Sequence, residues 1–116
     1  MVLIESLTKI DFVGDIKREY IYRMFKSEFS VESKGRKVEI QSYGIEVEKQ
    51  DIKDGQVLNI ERDYAKNISS QRHKVHNMMK MLCDNQVSPI HLVDILGESI
   101  DYHIADFDDL VNEAAY

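Results

Sequence analysis

The sequence is poor in residues that interrupt or cross-link a chain. It has one proline, one cysteine, five glycines and no tryptophan in 116 residues. A single cysteine makes no internal disulfide, so the fold has to be held by a hydrophobic core, and such usage is typical of a reducing compartment. With 43% hydrophobic and 31% charged residues, a linker or disordered tail is excluded. We therefore predict one globular domain over residues 1–116, in the cytoplasm.

Long apolar runs and excess positive charge are also lacking. No run approaches the ~20 apolar residues that a membrane-spanning helix needs, and the opening residues show no secretory signal pattern. Fifteen basic against twenty-one acidic residues give a net charge of -6, the wrong sign for attraction to phosphate. We therefore expect neither a membrane nor a nucleic-acid partner. The acidic C-terminal segment, residues 98–116, is predicted to be a solvated end, with docking to a basic partner as the alternative.

Hydrophobic periodicity divides the rest of the chain into strands and then helices. Up to about residue 65 apolar residues tend to alternate, with candidate turns at Gly14-Asp15, Lys34-Gly35 and Asp54-Gly55. For the first run, about 3–13, a helical face is the alternative. From 69 onward the period is helical. The pattern predicts an α+β fold: a three- to four-stranded antiparallel β-meander over about 1–65, followed by two or three C-terminal helices.

The Lys34-Gly35 turn predicts a register in which apolar side chains change faces along one hairpin. Both strands switch beside Phe25 and Gly44, because alternate residues point to opposite sides. Near the turn the apolar group is Phe29, Val31, Val38 and Ile40; further away it is Tyr20, Tyr22, Met24, Tyr43, Ile45 and Val47. The next strand, 56–65, is expected to add Leu58, Ile60 and Tyr64 to the side of Ile45 and Val47.

The first helix, about 69–84, is expected to start at a Ser69 or Ser70 cap. Its apolar stripe of Val75, Met78, Met79 and Leu82 predicts packing across the root of the hairpin. One helix of ~22 Å cannot cover both faces. The group Phe29, Val31, Val38 and Ile40 is therefore a candidate interaction site, covered by the C-terminal segment or by a partner, and we predict a homodimer or a protein partner.

Residues 87–97, VSPIHLVDILG, show the pattern of a short second helix over about 88–96. Ser88 suits the N-cap and Pro89 the first helical position. Val87 and Leu92 have the spacing of a hydrophobic staple, and Gly97 is expected to end the helix in a left-handed conformation. These features account for the segment without chemistry.

The start and the end of this helix do not require His91 or Asp94, so both are candidate interaction residues. The catalytic alternative is a small metal- or cysteine-dependent enzyme that uses His73, His76, Cys83 or His91. No paired-cysteine or His-Glu-x-x-His pattern supports it, and we predict no metal, no cofactor and no catalytic residues.

Three stretches carry a resemblance to a family. Tyr-Gly-Ile-Glu-Val at 43–47, Asn-Ile-Ser at 67–69 and Val-Ser-Pro-Ile-His-Leu-Val-Asp-Ile-Leu at 87–96 resemble an uncharacterised family of small proteins from clostridia and related Gram-positive bacteria. The resemblance spans roughly 20–105 and implies a cytosolic domain of unknown function, without established site residues. The sequence predicts a non-catalytic protein-interaction or regulatory module.

Overall fold

Four long strands followed by helices make up the part of the protein that is described. A computed structural model describes residues 1–97, apart from the side chain of Ser33. The strands β1 (Val2–Val13), β2 (Ile16–Ser33), β3 (Arg36–Lys53) and β4 (Gln56–Ser69) form one antiparallel sheet in chain order. The helix α1 (Arg72–Asp84) follows. A 3₁₀ turn, Pro89–His91, then continues as α-helix over residues 92–97; we call 89–97 the proline helix.

This architecture confirms the predicted order of an antiparallel meander before the helices. Two helices lie within residues 1–97, whereas the acidic segment 98–116 lies outside the described residues. None of the helices described is long and apolar enough to cross a membrane.

The register predicted for the long hairpin is confirmed rung by rung. Phe29 pairs with Ile40, Phe25 with Gly44, and the ladder continues unbroken from Ser33–Arg36 to Lys17–Ile52. Lys34 and Gly35 have φ of 53° and 74°, so both turn residues are left-handed, as a type I′ turn requires. This turn has the twist of the strands beside it, and the pairing therefore propagates without a shift.

The first run of the chain is a strand, so its helical alternative is wrong. Gly14, with φ of 63°, begins the turn between β1 and β2. From Val13–Ile16 to Glu5–Met24 the pairing is continuous, and a bulge follows at Ile4. The side chains of Ile4 and Leu7 pack on the core.

The core lies on one side of the sheet, called the helix face. Its main contributors from the two central strands are Tyr20, Tyr22, Met24, Tyr43, Ile45 and Val47. Val75, Met79 and Leu82 of α1 and Leu92 and Leu96 of the proline helix pack against them. The predicted stripe of α1 is therefore confirmed, and both helices cover the same face.

A buried hydroxyl ties the second strand to the segment before the proline helix. The hydroxyl of Tyr22 donates a hydrogen bond of 2.9 Å to the carbonyl of Val87. Burial, with smaller contributions from Cys83 and Tyr20, raises the pKa of Tyr22 well above its ordinary value of 10.0. The phenol is therefore a neutral donor at physiological pH. Val87 and Leu92, the predicted staple, are both buried in this core.

The predicted side assignment of the fourth strand is wrong, because a bulge shifts its register. Leu58 is an extra residue between the pairs Ile52–Val57 and Asp51–Asn59. One inserted residue reverses the faces of all that follow. Val47 consequently lies opposite Asp63, and Glu46 opposite Tyr64. Ile60 and Tyr64 thus point away from Ile45 and Val47.

Two predictions about helix ends need correction, and a third is confirmed in position. The helix α1 begins at Arg72 with Gln71 as N-cap, because β4 continues through Ser69, whose hydroxyl accepts a hydrogen bond from the Gln71 N–H at 3.1 Å. Gly97 is helical rather than left-handed. Ser88 occupies the predicted cap position, but its hydroxyl makes no cap hydrogen bond.

Candidate functional site

The sheet side opposite α1, called the open face, combines a polar centre with apolar margins. Both helices within residues 1–97 pack on the other side. The exposed apolar side chains of this face come from the two edge strands, and polar ones from the middle. Row by row from the β1–β2 turn, the ladders place together Phe12, Lys17, Ile52 and Val57; Ile10, Glu19, Gln50 and Ile60; Thr8, Ile21, Glu48 and Arg62; Ser6, Arg23, Glu46 and Tyr64.

A network of charged side chains occupies the centre of the open face. Arg23 Nη1 donates to Glu46 Oε1 at 2.6 Å, and its Nη2 lies 3.5 Å from Glu48 Oε2. Arg62 Nε and Gln50 Nε2 also donate to the Glu48 carboxylate. Because it is 2% exposed, the Glu48 carboxylate depends on these partners for the solvation that water would supply.

The same network determines the protonation state of Glu48. Burial on its own would raise the pKa of this carboxyl. Hydrogen bonds from Arg62 and Gln50, together with the charge of Arg23, outweigh that effect, so the pKa lies below its ordinary value of 4.5. The carboxylate is therefore ionised at neutral pH and serves as a fixed anion between two guanidinium groups.

A pocket of about 190 Å³ opens beside this network. Phe25, Gly44, Tyr64 and Lys66 are among the residues that line it. The ammonium of Lys66 lies 5.3 Å from the centroid of the Tyr64 ring, within the range of a cation–π contact. The lining of the pocket thus includes two aromatic rings and a lysine.

Gly44 forms part of the pocket because the two strands approach too closely there for a side chain. A Cβ on Gly44 would lie 2.6 Å from the carbonyl oxygen of Ala65. Opposite Gly44, β4 makes a second register shift, and Asn67 has φ of 53°. The shift turns Ile68 into the core, where it is fully buried. The pocket is therefore a consequence of irregular pairing at the rung where the hairpin switches faces.

The predicted interaction residues near the turn are brought together on the open face beyond the pocket. Phe29 pairs with Ile40, and Val31 with Val38. Ile40 is only 1% exposed, and the other three are half-buried. The group is therefore a partly buried apolar cluster rather than an exposed patch.

The other two predicted interaction residues lie elsewhere. His91 and Asp94 are exposed on the proline helix, which packs on the helix face. They consequently do not form one site with the cluster near the turn.

The residues considered for catalysis lie in different surroundings. Burial, followed by the charge of Asp84, raises the pKa of the Cys83 thiol, which disfavours the reactive thiolate. His76 Nδ1 lies 2.9 Å from Glu5 Oε2, and His73 shares a shallow depression with this pair. Within residues 1–97, no three His, Cys, Asp or Glu side chains are grouped to hold a metal.

The sequence did not predict the exposed apolar side chains at the margins of the open face or the buried carboxylate of Glu48. Ile10, Ile60 and Tyr64 are 49%, 46% and 50% exposed. The signal for Ile60 and Tyr64 was present in the adjacent apolar pair Val57-Leu58, which interrupts alternation and is compatible with a bulge. Glu48 gave no signal, because only the arrangement of three strands shows that it is enclosed.

These features occur in a chain whose family is shown. A family model matches residues 1–102, which includes all four strands and both helices described here. The chain belongs to DUF6514, a family of unknown function. The predicted membership of an uncharacterised family is thus confirmed, and the DUF6514 match extends it to β1. No curated protein and no solved structure matches the chain.

Proposed function

We propose that this protein is a non-catalytic interaction module that binds a protein partner through its open face. The observation that carries the proposal is the pocket of about 190 Å³, whose lining includes two aromatic rings, next to exposed apolar side chains. Interface hot spots are centred on side chains that fill such pockets. An apolar side chain of the partner, inserted between Phe25 and Tyr64, would provide the anchor.

The charged network supports this role by stiffening the floor of the surface. Glu48 has hydrogen-bonding partners on its own strand and on β4, and Arg23 links it to β2. A surface that is already ordered loses less conformational entropy when it binds. The module is proposed to work in a bacterial cytoplasm, where the lone Cys83 stays reduced.

Capture experiments with matched charge variants test this proposal. Tyr64→Asp places a carboxylate at the pocket, whereas Ile90→Asp makes the same change at a side chain that is 69% exposed on the proline helix. Each purified, folded variant is immobilised and exposed to lysate of the native cell. We expect at least one protein to bind the wild type and Ile90→Asp, and to be lost at least tenfold from Tyr64→Asp.

A photocrosslinking amino acid at position 64 should then attach to the same protein. If no captured protein depends on Tyr64, the open face is not the binding surface. The enzyme hypothesis is tested separately by metal analysis and by titration of the Cys83 thiol. A stoichiometric metal, or a thiol pKa below ~8.5, would favour that hypothesis instead.

A further inference from the structure

The two edges of the sheet differ in how well they could accept another strand. β4 has two register shifts, and Glu61, Arg62 and Asp63 stand between them. Bulges and charges of this kind protect an edge from pairing. β1 instead runs without interruption from Glu5 to Val13, and in the described part of the chain no strand pairs with its outer side.

β1 also exposes apolar side chains along its length. Val2, Leu3, Ile10 and Phe12 are 61%, 53%, 49% and 67% exposed. A regular edge that carries exposed apolar side chains is a template for strand addition. A partner that adds to this edge therefore has to present an extended strand whose side chains are complementary to those of β1.

We propose that β1 pairs antiparallel with β1 of a second copy, about a two-fold axis at Leu7. Two residues that lie opposite each other are then equally far from Leu7 along the strand, one before it and one after it. Glu5 of each copy lies opposite Lys9 of the other, Ser6 lies opposite Thr8, and the two Leu7 side chains meet. Opposite charges directly across a pair stabilise it, and apolar pairs and pairs of hydroxyl side chains do the same.

Neighbouring registers lack this complementarity. An axis at Thr8 sets Glu5 against Asp11, and an axis at Lys9 sets the two Lys9 side chains against each other. An axis at Ser6 sets Glu5 against Leu7. An axis at Ile10 also sets Lys9 against Asp11, but it pairs only residues 7–13 and leaves Glu5 outside the pairing, whereas the Leu7 axis pairs residues 2–12. Charge complementarity together with the longer overlap therefore favours the Leu7 axis, which gives one eight-stranded sheet with both α1 helices on the same side.

Existing contacts hold the two charged side chains where this pairing needs them. Glu5 contacts His76 of α1, and Lys9 Nζ donates to the carbonyl of Asp84 at 3.3 Å. Both side chains thus lie on the helix face at the edge of the sheet. The interface uses the edge rather than the open face, so the proposal is independent of the proposed function. A single pair of strands lies at the small end of interface sizes, below ~1,200 Å², and we expect a dimer that dissociates on dilution.

Charge-reversal variants in sedimentation velocity experiments test the pairing. Glu5→Lys places a second lysine opposite Lys9, and Lys9→Glu places a second glutamate opposite Glu5. Each variant alone should therefore dimerise about tenfold or more weakly than the wild type. In a heterodimer, the Glu5→Lys chain has lysine at positions 5 and 9, and the Lys9→Glu chain has glutamate at both. Each lysine then lies opposite a glutamate, so an equimolar mixture should form the heterodimer. Glu61→Lys on β4 carries the same charge change as Glu5→Lys and should dimerise like the wild type.

The mixture also shows that the variants are folded, since misfolded chains would not recover specific pairing. A wild type that stays monomeric up to ~500 µM would overturn the proposal. So would single variants that dimerise normally, or a mixture that stays monomeric. None of these results affects capture of a partner through Tyr64, so failure of this proposal and failure of the proposed function are distinguishable.

Discussion

Replacing Gly44 by alanine should destabilise the protein, although alanine usually suits a folded chain better than glycine. The new Cβ would lie 2.6 Å from the Ala65 oxygen, which is 0.8 Å short of the 3.4 Å where ordinary contact begins. Because the obstacle is backbone, β3 and β4 have to separate at a rung where they are already irregular. Overpacking of this kind costs ~1–3 kcal/mol.

Part of that cost is offset in the unfolded chain, where alanine has ~0.4–1 kcal/mol less conformational entropy to lose. The central values of these two ranges leave a net loss of about 1.3 kcal/mol. At the unfolding entropy typical of a 116-residue domain, the melting temperature should fall by about 5 °C. Urea unfolding, followed by circular dichroism, measures the free energy directly.

Gly97→Ala is the matched control for this substitution. Gly97 is helical, and a Cβ there meets nothing within 4 Å. Alanine should therefore leave stability unchanged or raise it by up to ~1 kcal/mol. If Gly44→Ala unfolds at the same urea concentration as the wild type, the close approach of Gly44 to Ala65 is wrong. If both variants lose stability equally, the effect is not specific to that approach.

Three further substitutions test other parts of the structure. Tyr22→Phe should cost ~1–3 kcal/mol in urea unfolding, because it leaves the buried Val87 carbonyl without its donor; a smaller loss would mean that water replaces the phenol. Glu48, whose pKa is lowered in the folded state, stabilises the fold above the ordinary value of 4.5 and loses this contribution as pH falls through the folded pKa. Glu48→Gln should flatten the fall of stability in acid, and an unchanged pH profile would contradict the network. Ser88→Ala should change thermal stability by less than ~0.5 kcal/mol, since its hydroxyl makes no cap hydrogen bond; a loss near ~1 kcal/mol would show that the cap forms in solution.

Much of the fold could be predicted because its main hairpin is governed by local rules. A two-residue turn whose residues tolerate positive φ sets the register, and period-two alternation then assigns every side chain of β2 and β3 to a face. The stripe of α1 was equally readable, because a helix repeats every 3.6 residues whatever it packs against. The assignment of side chains to faces failed where the pairing contains one extra residue, as at Leu58.

The candidate site was less predictable, since its parts come from strands that are distant in sequence. Tyr64 and Phe25 line one pocket only because the bulge at Leu58 turns Tyr64 to the open face, where Phe25 also lies. The residues that stood out in the sequence, His91 and Asp94, are exposed on the opposite side of the sheet. The unusual residues in the sequence therefore did not indicate the surface that strand pairing creates.

The order of elements, the hairpin register and the rung at which the apolar pattern changes sides can all be read from the sequence. Each of these follows from interactions between residues that are close along the chain or joined by a two-residue turn. Three other features are visible only once the chain is folded: Ile60 and Tyr64 face away from the core, two arginines enclose Glu48, and β1 is the regular edge. These outcomes depend on bulges and on contacts across three strands, where a single extra residue reverses every face beyond it.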